Sequence, residues 1–330
     1  MEQTKIYQLR LGIVLVVIST VWAPASLFGA QMHNARIGVF TPGLTLGSVR
    51  DGMEEGLARL GYVGGKNITF IVEDTKGIAS DLVPRVAKLL SAKPDVLFTV
   101  STDHAHVAKH ATSTVPIVFA WVGDPIRVGL IDSYPYSKNN LTGVTAIGDS
   151  LSGKRLEVLL EIAPKAKRLL VIVAAKESVS VSSFRSVEAA AQKFWVQLAR
   201  RDVTGKEEII KALVETPRGS VDAIFHVPST LVRTNLDLVV ERARRDRIPL
   251  AVHEEALLDR GALFSYGPNT RLVGLQAANL VNKILKGTGP GEIMIETPDR
   301  FFLAINQTTA KQIGLNIPRG MLERADRLIQ

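Results

Sequence analysis

Polar and aromatic side chains stand directly after many of the apolar runs in this 330-residue sequence. In the segment "FAWVGDP", an apolar run ends in Trp121, and Asp124 follows three residues later. A tryptophan ring offers an apolar surface, hydroxyls and imidazoles offer hydrogen bonds, and carboxylates hold cations, which together suit a small polar or aromatic ligand. The candidate ligand-binding residues at such positions are Thr41, Ser48, Ser101, Thr102, Trp121, Asp124, Thr145, His226, Ser229, Glu254 and Tyr266.

Asp124 and the stretch 41–47 can each be explained by local backbone structure as well as by ligand binding. Asp124 precedes Pro125, and an Asp-Pro pair commonly begins a turn, so ligand contact and turn formation both remain open for this carboxylate. The stretch 41–47 leads into a predicted helix, whose free N–H groups suit a carboxylate or a similar anion, or need only an ordinary N-cap. This stretch is not a P-loop, because no Gly-Lys-Ser/Thr follows it.

No set of residues predicts catalysis or a metal centre. His106 and His110 are four residues apart in "STDHAHVAKH", but neither a glutamate directly after His106 nor a third ligand is evident, so a solvent-facing helix is favoured. Glu254 and Glu255 have no spacing that marks them as an acid and a base, and one of them suits a helix cap. The sequence has no cysteine, which excludes disulfides, thiolate nucleophiles and Cys-ligated metals. We therefore predict a binding protein without a cofactor, not an enzyme.

The elements that must position these residues alternate between strand and helix patterns. Apolar runs such as 36–40 and 115–120 predict buried strands, and 48–60 has the spacing of an amphipathic helix. The alternation resumes after a break near 145–150, which predicts an α/β fold of two doubly wound parallel-sheet lobes. Because ligands bind beyond the carboxyl ends of the strands in such a fold, the candidate residues are expected to meet there.

The N-terminus has the pattern of an export signal. Basic residues precede the apolar run Leu11 to Trp22, and small residues follow, which permits cleavage after Ala25 or Ala30. The run is short for a membrane span, so we expect removal of residues 1–30 rather than an anchor. A bacterial lipoprotein is excluded because its lipid is attached to a cysteine. We therefore predict a periplasmic protein that meets the membrane only through a partner.

The charge pattern predicts no nucleic-acid partner. The formal net charge is +8, but basic residues are spread along the whole chain. In the densest group, 241–247, acids and bases alternate, which is typical of a solvated helix face. Nucleic-acid binding would require a stripe of one sign and a recognisable module.

Several blocks, in their order and spacing, resemble one known family. "GMEEGLARLGYVGGKNITF", "ATSTVPIVFAWVGDP", "NLTGVT", "GALFSYGPN" and "FFLAINQTTAKQIGLNIP" look like the ABC transporter substrate-binding proteins of the tryptophan/tyrosine-binding-like type. The resemblance implies a type I periplasmic-binding-protein fold, in which a three-strand hinge joins two lobes and the ligand lies between them. With crossovers near 146–148, 265–267 and 297–299, one lobe is expected to comprise 36–146 plus 267–297, and the other 148–265 plus 299–330.

The same resemblance implies a role in transport. It suggests an extracytoplasmic solute-binding component of an ABC importer, which captures a small polar or aromatic, amino-acid-like ligand by hinge closure and serves a permease and its ATPase. Amino-acid-binding members often carry Asp or Asn after the "VP" of the second-lobe strand, whereas this chain has Ser229 and Thr230 there. The resemblance therefore does not identify the ligand. The alternative is an extracytoplasmic sensor module of the same fold that reports to a signalling receptor.

Overall fold

The computed structural model describes residues 34–43, 46–146 and 148–330. The predicted export signal and its two candidate cleavage positions therefore lie outside the described residues. The described chain forms two β-sheets, and each sheet has apolar cores on both of its faces.

The first sheet is built from the chain up to residue 145. Its elements are β1 (Ala35–Thr41), α1 (Gly47–Arg59), β2 (Ile68–Asp74), α2 (Leu82–Ser91), β3 (Val96–Val100), α3 (Thr102–Ala111), β4 (Ile117–Val122) and β5 (Leu141–Thr145). The five strands are parallel and lie in the order β2-β1-β3-β4-β5. In β3, Val96 and Phe98 pack into the core on one face while Leu97 packs into the core on the other. All five residues of β3 are buried, which requires cover on both faces, as parallel sheets have.

The second sheet has seven strands. The chain continues through α4 (Gly148–Ile162), β6 (Arg168–Ala174), α5 (Ser178–Phe194), β7 (Gln197–Val203), α6 (Lys206–Glu215), β8 (Ala223–Phe225), α7 (Thr230–Thr234), α8 (Leu236–Asp246), β9 (Leu250–Val252), β10 (Phe264–Pro268), α9 (Thr270–Leu285), β11 (Phe301–Asn306), α10 (Gln307–Ile313), α11 (Arg319–Arg324) and β12 (Arg327–Ile329). The strand order is β12-β11-β10-β9-β8-β6-β7. The predicted doubly wound parallel architecture is confirmed, with one antiparallel pair that was not predicted, β10 with β11.

Helix α9 packs on the first sheet, although it follows β10 of the second. Val273 and Leu280 are buried in the same core as Val49 and Met53 of α1. The chain therefore passes between the two sets of cores three times: after β5, after β10 and before β11. We call the part packed around the five-stranded sheet the first lobe and the part around the seven-stranded sheet the second lobe.

Glycine allows α1 and α9 to approach each other backbone to backbone. A Cβ atom added at Gly52 would lie 2.1 Å from the Arg271 carbonyl oxygen, and one at Gly274 would lie 2.0 Å from the Val49 carbonyl oxygen. Non-bonded atoms do not approach that closely, so this contact requires the absence of side chains at both positions.

None of the described helices has both the length and the apolar composition that crossing a bilayer requires.

Candidate ligand-binding site

A cavity lies between the two lobes, where strands of both sheets end. Segments that follow β3 and close β4 line it from the first lobe, and α4, α7 and the residues after β9 line it from the second. The predicted site residues in this lining are Ser101, Thr102, Trp121, Ser229 and Glu254. The fold therefore brings five candidates from four different segments to one place, as the rule for strand ends predicts.

Ser101 joins β3 to α3 in an unusual backbone conformation. Its φ is 82°, in the left-handed region that residues with a side chain seldom adopt, and such strain occurs often at binding sites. Its hydroxyl bonds the Nδ1 atom of buried His104 at 2.8 Å, and the Nε2 atom of that ring bonds the Thr75 hydroxyl at 3.0 Å. One imidazole therefore fixes the start of the helix that borders the cavity.

Trp121 reaches the cavity because β4 bulges at this residue. The pairing of β4 with β5 shifts register between Ala120 and Val122, which leaves Trp121 as the extra residue with φ at 60°. A bulge re-aims a side chain at the end of a strand. The ring is almost fully buried, packs on the first-lobe core and forms part of the cavity wall.

A buried ion pair lies on the second-lobe side of the cavity. Glu254 has no exposed surface, and its Oε1 atom accepts hydrogen bonds from Arg233 Nη1 at 3.2 Å and from His253 Nε2 at 2.9 Å. Arg233 is only 3% exposed, and its Nε and Nη2 atoms have no hydrogen-bond partner among the described residues. The guanidinium is therefore held in place by one edge while its other N–H groups stay unpaired.

A second buried arginine comes from α4. Arg155 is 1% exposed, its Nε donates to the Tyr266 carbonyl oxygen at 3.1 Å, and its Nη1 lacks a partner among the described residues. Burial lowers its pKa to about 9, while the negative charge of Glu254 acts in the opposite direction. The side chain is therefore still charged at neutral pH.

Two histidines sit close together beneath this cluster. The rings of His226 and His253 are 5.1 Å apart between centroids, and both are buried. Burial lowers the pKa of each ring below its ordinary value, and for His226 the neighbouring His253 lowers it further. Both imidazoles are therefore neutral at pH 7, so the cationic groups at this end of the cavity are the arginines.

An outer cavity of about 470 Å³ adjoins the first and shares Asp103 and Thr230 with it. Glu177 lines this outer cavity and accepts hydrogen bonds from the backbone N–H groups of Thr230 and Leu231, each at 2.8 Å. Burial raises the pKa of Asp103 and of Glu177, and the charge of Asp103 raises the latter further. These two carboxyl groups come from different lobes, so the lobes are close at this point.

Three predicted residues form hydrogen bonds within the protein instead of lining the inner cavity. Asp124 accepts hydrogen bonds through Oδ1 from two backbone N–H groups just after Pro125, which is the turn that the Asp-Pro pair allows. The Thr41 hydroxyl accepts from the Gly43 N–H at 3.1 Å. Ser48 bonds the Thr270 hydroxyl at 2.6 Å and so links α1 to α9.

The remaining three lie near the inner cavity without lining it. Thr145 ends β5 with a buried hydroxyl that has no partner among the described residues. Neither ring nitrogen of His226 has a described partner. Tyr266 contributes its carbonyl oxygen to Arg155, while its ring packs 6.4 Å from that of Phe301.

Three residues of the lining were not predicted: Arg155 and Arg233, which lie within helices, and Asp103, the second residue of α3. Arg155 had a detectable signal, because it interrupts an apolar stripe that runs through Leu151, Leu159 and beyond along α4. A charged residue on the apolar face of a helix is rarely buried without a reason.

The histidine pair in α3 gives no support for metal binding. The rings of His106 and His110 are stacked 6.5 Å apart, and no cluster of three metal-ligating residues occurs among those the structure describes.

This chain is similar in sequence to a known family and to a protein of known ligand. The sequence profile of a family described as "ABC transporter substrate binding protein" matches residues 36–329. A tyrosine-binding protein of Clostridioides difficile (strain R20291) is 27% identical over 272 residues, which are 82% of this chain and 78% of that protein.

Two crystal structures share the fold. A conserved domain protein from Vibrio cholerae is 27% identical, with 89% of this chain and 99% of that chain covered and a TM-score of 0.85. A protein from Streptococcus pneumonia, described as an ABC domain in complex with L-Trp, is 22% identical, with 90% and 100% covered and a TM-score of 0.84.

Proposed function

This chain belongs to the family of ABC transporter substrate-binding proteins, and we propose that it is the extracytoplasmic solute-binding component of an ABC importer. Proteins of this family bind small ligands and are not enzymes. The observation that carries the proposal is the cavity between the lobes, which is lined by a tryptophan and by two arginines whose buried N–H donors have no partner among the described residues.

Capture by closure is the mechanism that this geometry supports. The inner cavity has a volume of about 40 Å³, well below that of a cavity of about 150 Å³ that holds benzene, so a ligand reaches Trp121 only when the lobes open. In the closed complex the ligand is expected to extend into the adjoining cavity of about 470 Å³. We propose lobes of 36–146 plus 267–297 and 148–265 plus 299–330, hinged where the chain crosses between them. The ligand shifts the population toward the closed form by its higher affinity for that form.

The expected ligand is small, with an aromatic or other apolar part and polar groups, as in an amino-acid-like compound. Trp121 supplies an apolar wall, and Leu46, Ala146 and Pro228 add to it. The relatives that are described with tyrosine and with L-Trp agree with an aromatic ligand, so both amino acids are suitable first probes.

The importer role implies two partners and an exported location. We propose that the N-terminal signal is removed, that the mature protein is periplasmic, and that its closed form docks on a membrane permease with its ATPase. Loss of ligand uptake on deletion of the gene supports import. Retained uptake together with loss of a ligand-induced response supports the sensor alternative.

The absence of cysteine makes a direct test of closure straightforward. Lys76 and Lys176 are exposed and belong to different lobes; Lys76 adjoins residues of the outer cavity, and Lys176 lies at its lining. Spin labels on the double variant K76C/K176C report the distance between the lobes. L-Tyrosine or L-tryptophan at saturating concentration is expected to shorten and narrow this distance distribution.

A matched control uses two labels in the first lobe. Lys93 is exposed and lies between α2 and β3, so K76C/K93C is expected to give the same distances with and without the probe. Two results together would contradict the proposal: the interlobe distance does not change with either amino acid, and denaturation of the purified protein releases no bound small molecule.

A further inference from the structure

Three buried N–H donors point to the chemistry of the ligand. Arg155 Nη1, Arg233 Nε and Arg233 Nη2 are buried beside the inner cavity, and no described residue accepts a hydrogen bond from them. Buried polar groups in folded proteins are nearly always paired, so donors left without an acceptor beside a cavity indicate a missing partner.

The two guanidinium groups are held in place by different hydrogen-bond partners. Arg155 is fixed on α4 by the Tyr266 carbonyl oxygen at 3.1 Å, and Arg233 is fixed on α7 by Glu254 at 3.2 Å. Each group is therefore positioned by one N–H while other N–H groups remain unpaired. Such pre-positioned forks suit the two oxygens of a carboxylate.

The acidic groups of the lining do not take up these three donors. Glu254 accepts from Arg233 Nη1 and from His253, not from the donors in question. Glu177 is engaged by the N–H groups of Thr230 and Leu231. Asp103 faces the same cavity from the first lobe and acts on Arg233 by its charge, without a hydrogen bond to any of the three donors.

We infer that the ligand is a carboxylate whose acid group binds between Arg155 and Arg233 at the inner end of the cavity. This inference rests on the proposed function, because it assigns the ligand class of the same site. The apolar part of the ligand lies against Trp121, and its other end extends toward the outer cavity. Asp103 is placed to interact with an amino group when the ligand carries one.

The test compares acids with their uncharged or cationic counterparts of the same shape. The acid probes are benzoate, 3-phenylpropanoate, phenylalanine and tyrosine, and the probes without an acid group are benzamide and 2-phenylethylamine. Binding to the purified protein is measured by calorimetry and by the shift in melting temperature. We expect at least one acid to bind, and its counterpart to bind about 100-fold more weakly or not at all.

Substitution at Arg155 identifies the group responsible. R155M is expected to weaken binding of the acid by about 100-fold, while the empty variant melts within a few degrees of the wild type, because removal of a buried charge with an unpaired donor offsets the lost hydrogen bond to the Tyr266 carbonyl oxygen. R155K keeps a charge but not the fork, and is expected to retain part of the affinity.

A third buried arginine of the second lobe serves as the control. Arg242 is 3% exposed, is paired with Asp246 at 2.6 Å and does not line the cavity. R242M is expected to lower the melting temperature and to leave the affinity for the acid unchanged.

The possible outcomes distinguish failure of the carboxylate assignment from failure of the proposed function. Tight binding of an amide or amine, with affinity retained in R155M, overturns the carboxylate assignment and leaves ligand capture standing. A wild-type protein that binds none of the probes and carries no compound after purification overturns both.

Discussion

His104 provides a quantitative prediction of how acid destabilises the first lobe. Its ring is buried, and its two nitrogens bond the hydroxyls of Ser101 and Thr75, which suits a neutral imidazole with one donor and one acceptor. Burial first, and then the positive charge of Arg233, lowers its pKa from 6.5 to about 3. The folded protein therefore keeps this ring neutral at pH values where the unfolded chain protonates it.

The sign and size of the effect follow from proton linkage. Below pH 6.5 the unfolded state binds the proton and the folded state does not, so the free energy of unfolding falls as the pH falls, down to the folded pKa of about 3. The loss is about 1.4 kcal/mol per pH unit in this window, or about 2 kcal/mol between pH 7 and pH 5.

The assay compares urea unfolding at pH 7 and pH 5, at constant ionic strength, for the wild type and H104Q. Glutamine offers a donor and an acceptor but does not titrate, so the variant should lose about 2 kcal/mol less than the wild type on acidification. H110Q, at an exposed position of the same helix, should lose as much as the wild type. Equal losses in the wild type and H104Q, or an NMR titration of the His104 ring with a midpoint above pH 5, would refute the reasoning.

Three further predictions concern the cavity and the packing of the first lobe. W121A should bind the ligand about 30-fold more weakly while remaining folded, because a buried aromatic wall is lost, whereas W195A, at a residue that is 88% exposed, should bind as the wild type does in calorimetry. G274A should lower the free energy of unfolding by about 2–3 kcal/mol because its Cβ would overlap backbone atoms of α1, whereas G47A, whose Cβ meets nothing within 4 Å, should be neutral or slightly stabilising in urea unfolding. E254Q should lower the free energy of unfolding by about 3–5 kcal/mol in the same assay, because it leaves the buried Arg233 guanidinium without its counter-charge. Equal stability of E254Q and the wild type would show that this ion pair does not stabilise the fold.

The strand ends were the most predictable part of the site. Trp121, Ser101 and Ser229 follow apolar runs, and parallel strands that point the same way must bring such residues to one edge. The sequence does not show which of these polar side chains form hydrogen bonds with nearby backbone N–H groups instead of facing the cavity. Asp124 and Thr41 bond nearby N–H groups, and such local bonds depend on a turn geometry that spacing alone does not determine.

The arginines of the cavity could not be predicted in the same way. Arg155 and Arg233 project from helices, and the helical periodicity shows which face is apolar but not which neighbour that face meets. Their position depends on how the two lobes pack together, and this is information about contacts distant in sequence.

The fold was predictable at the level of architecture, with two exceptions. The alternation of strand and helix patterns predicts the doubly wound lobes, because a parallel sheet needs helical connections on both faces. The reversal at β11 depends on the connection through α9, which the strand pattern does not specify. The close approach of α1 and α9 depends on Gly52 and Gly274, whose partners lie more than 200 residues apart in sequence.

Native mass spectrometry of the purified protein, followed by denaturation and identification of any released compound, tests the central claim most directly. The account predicts a one-to-one complex with a small carboxylate, and R155M should be isolated without it. A wild-type protein that shows only the mass of the bare chain, even after incubation with the acid probes, would contradict the account.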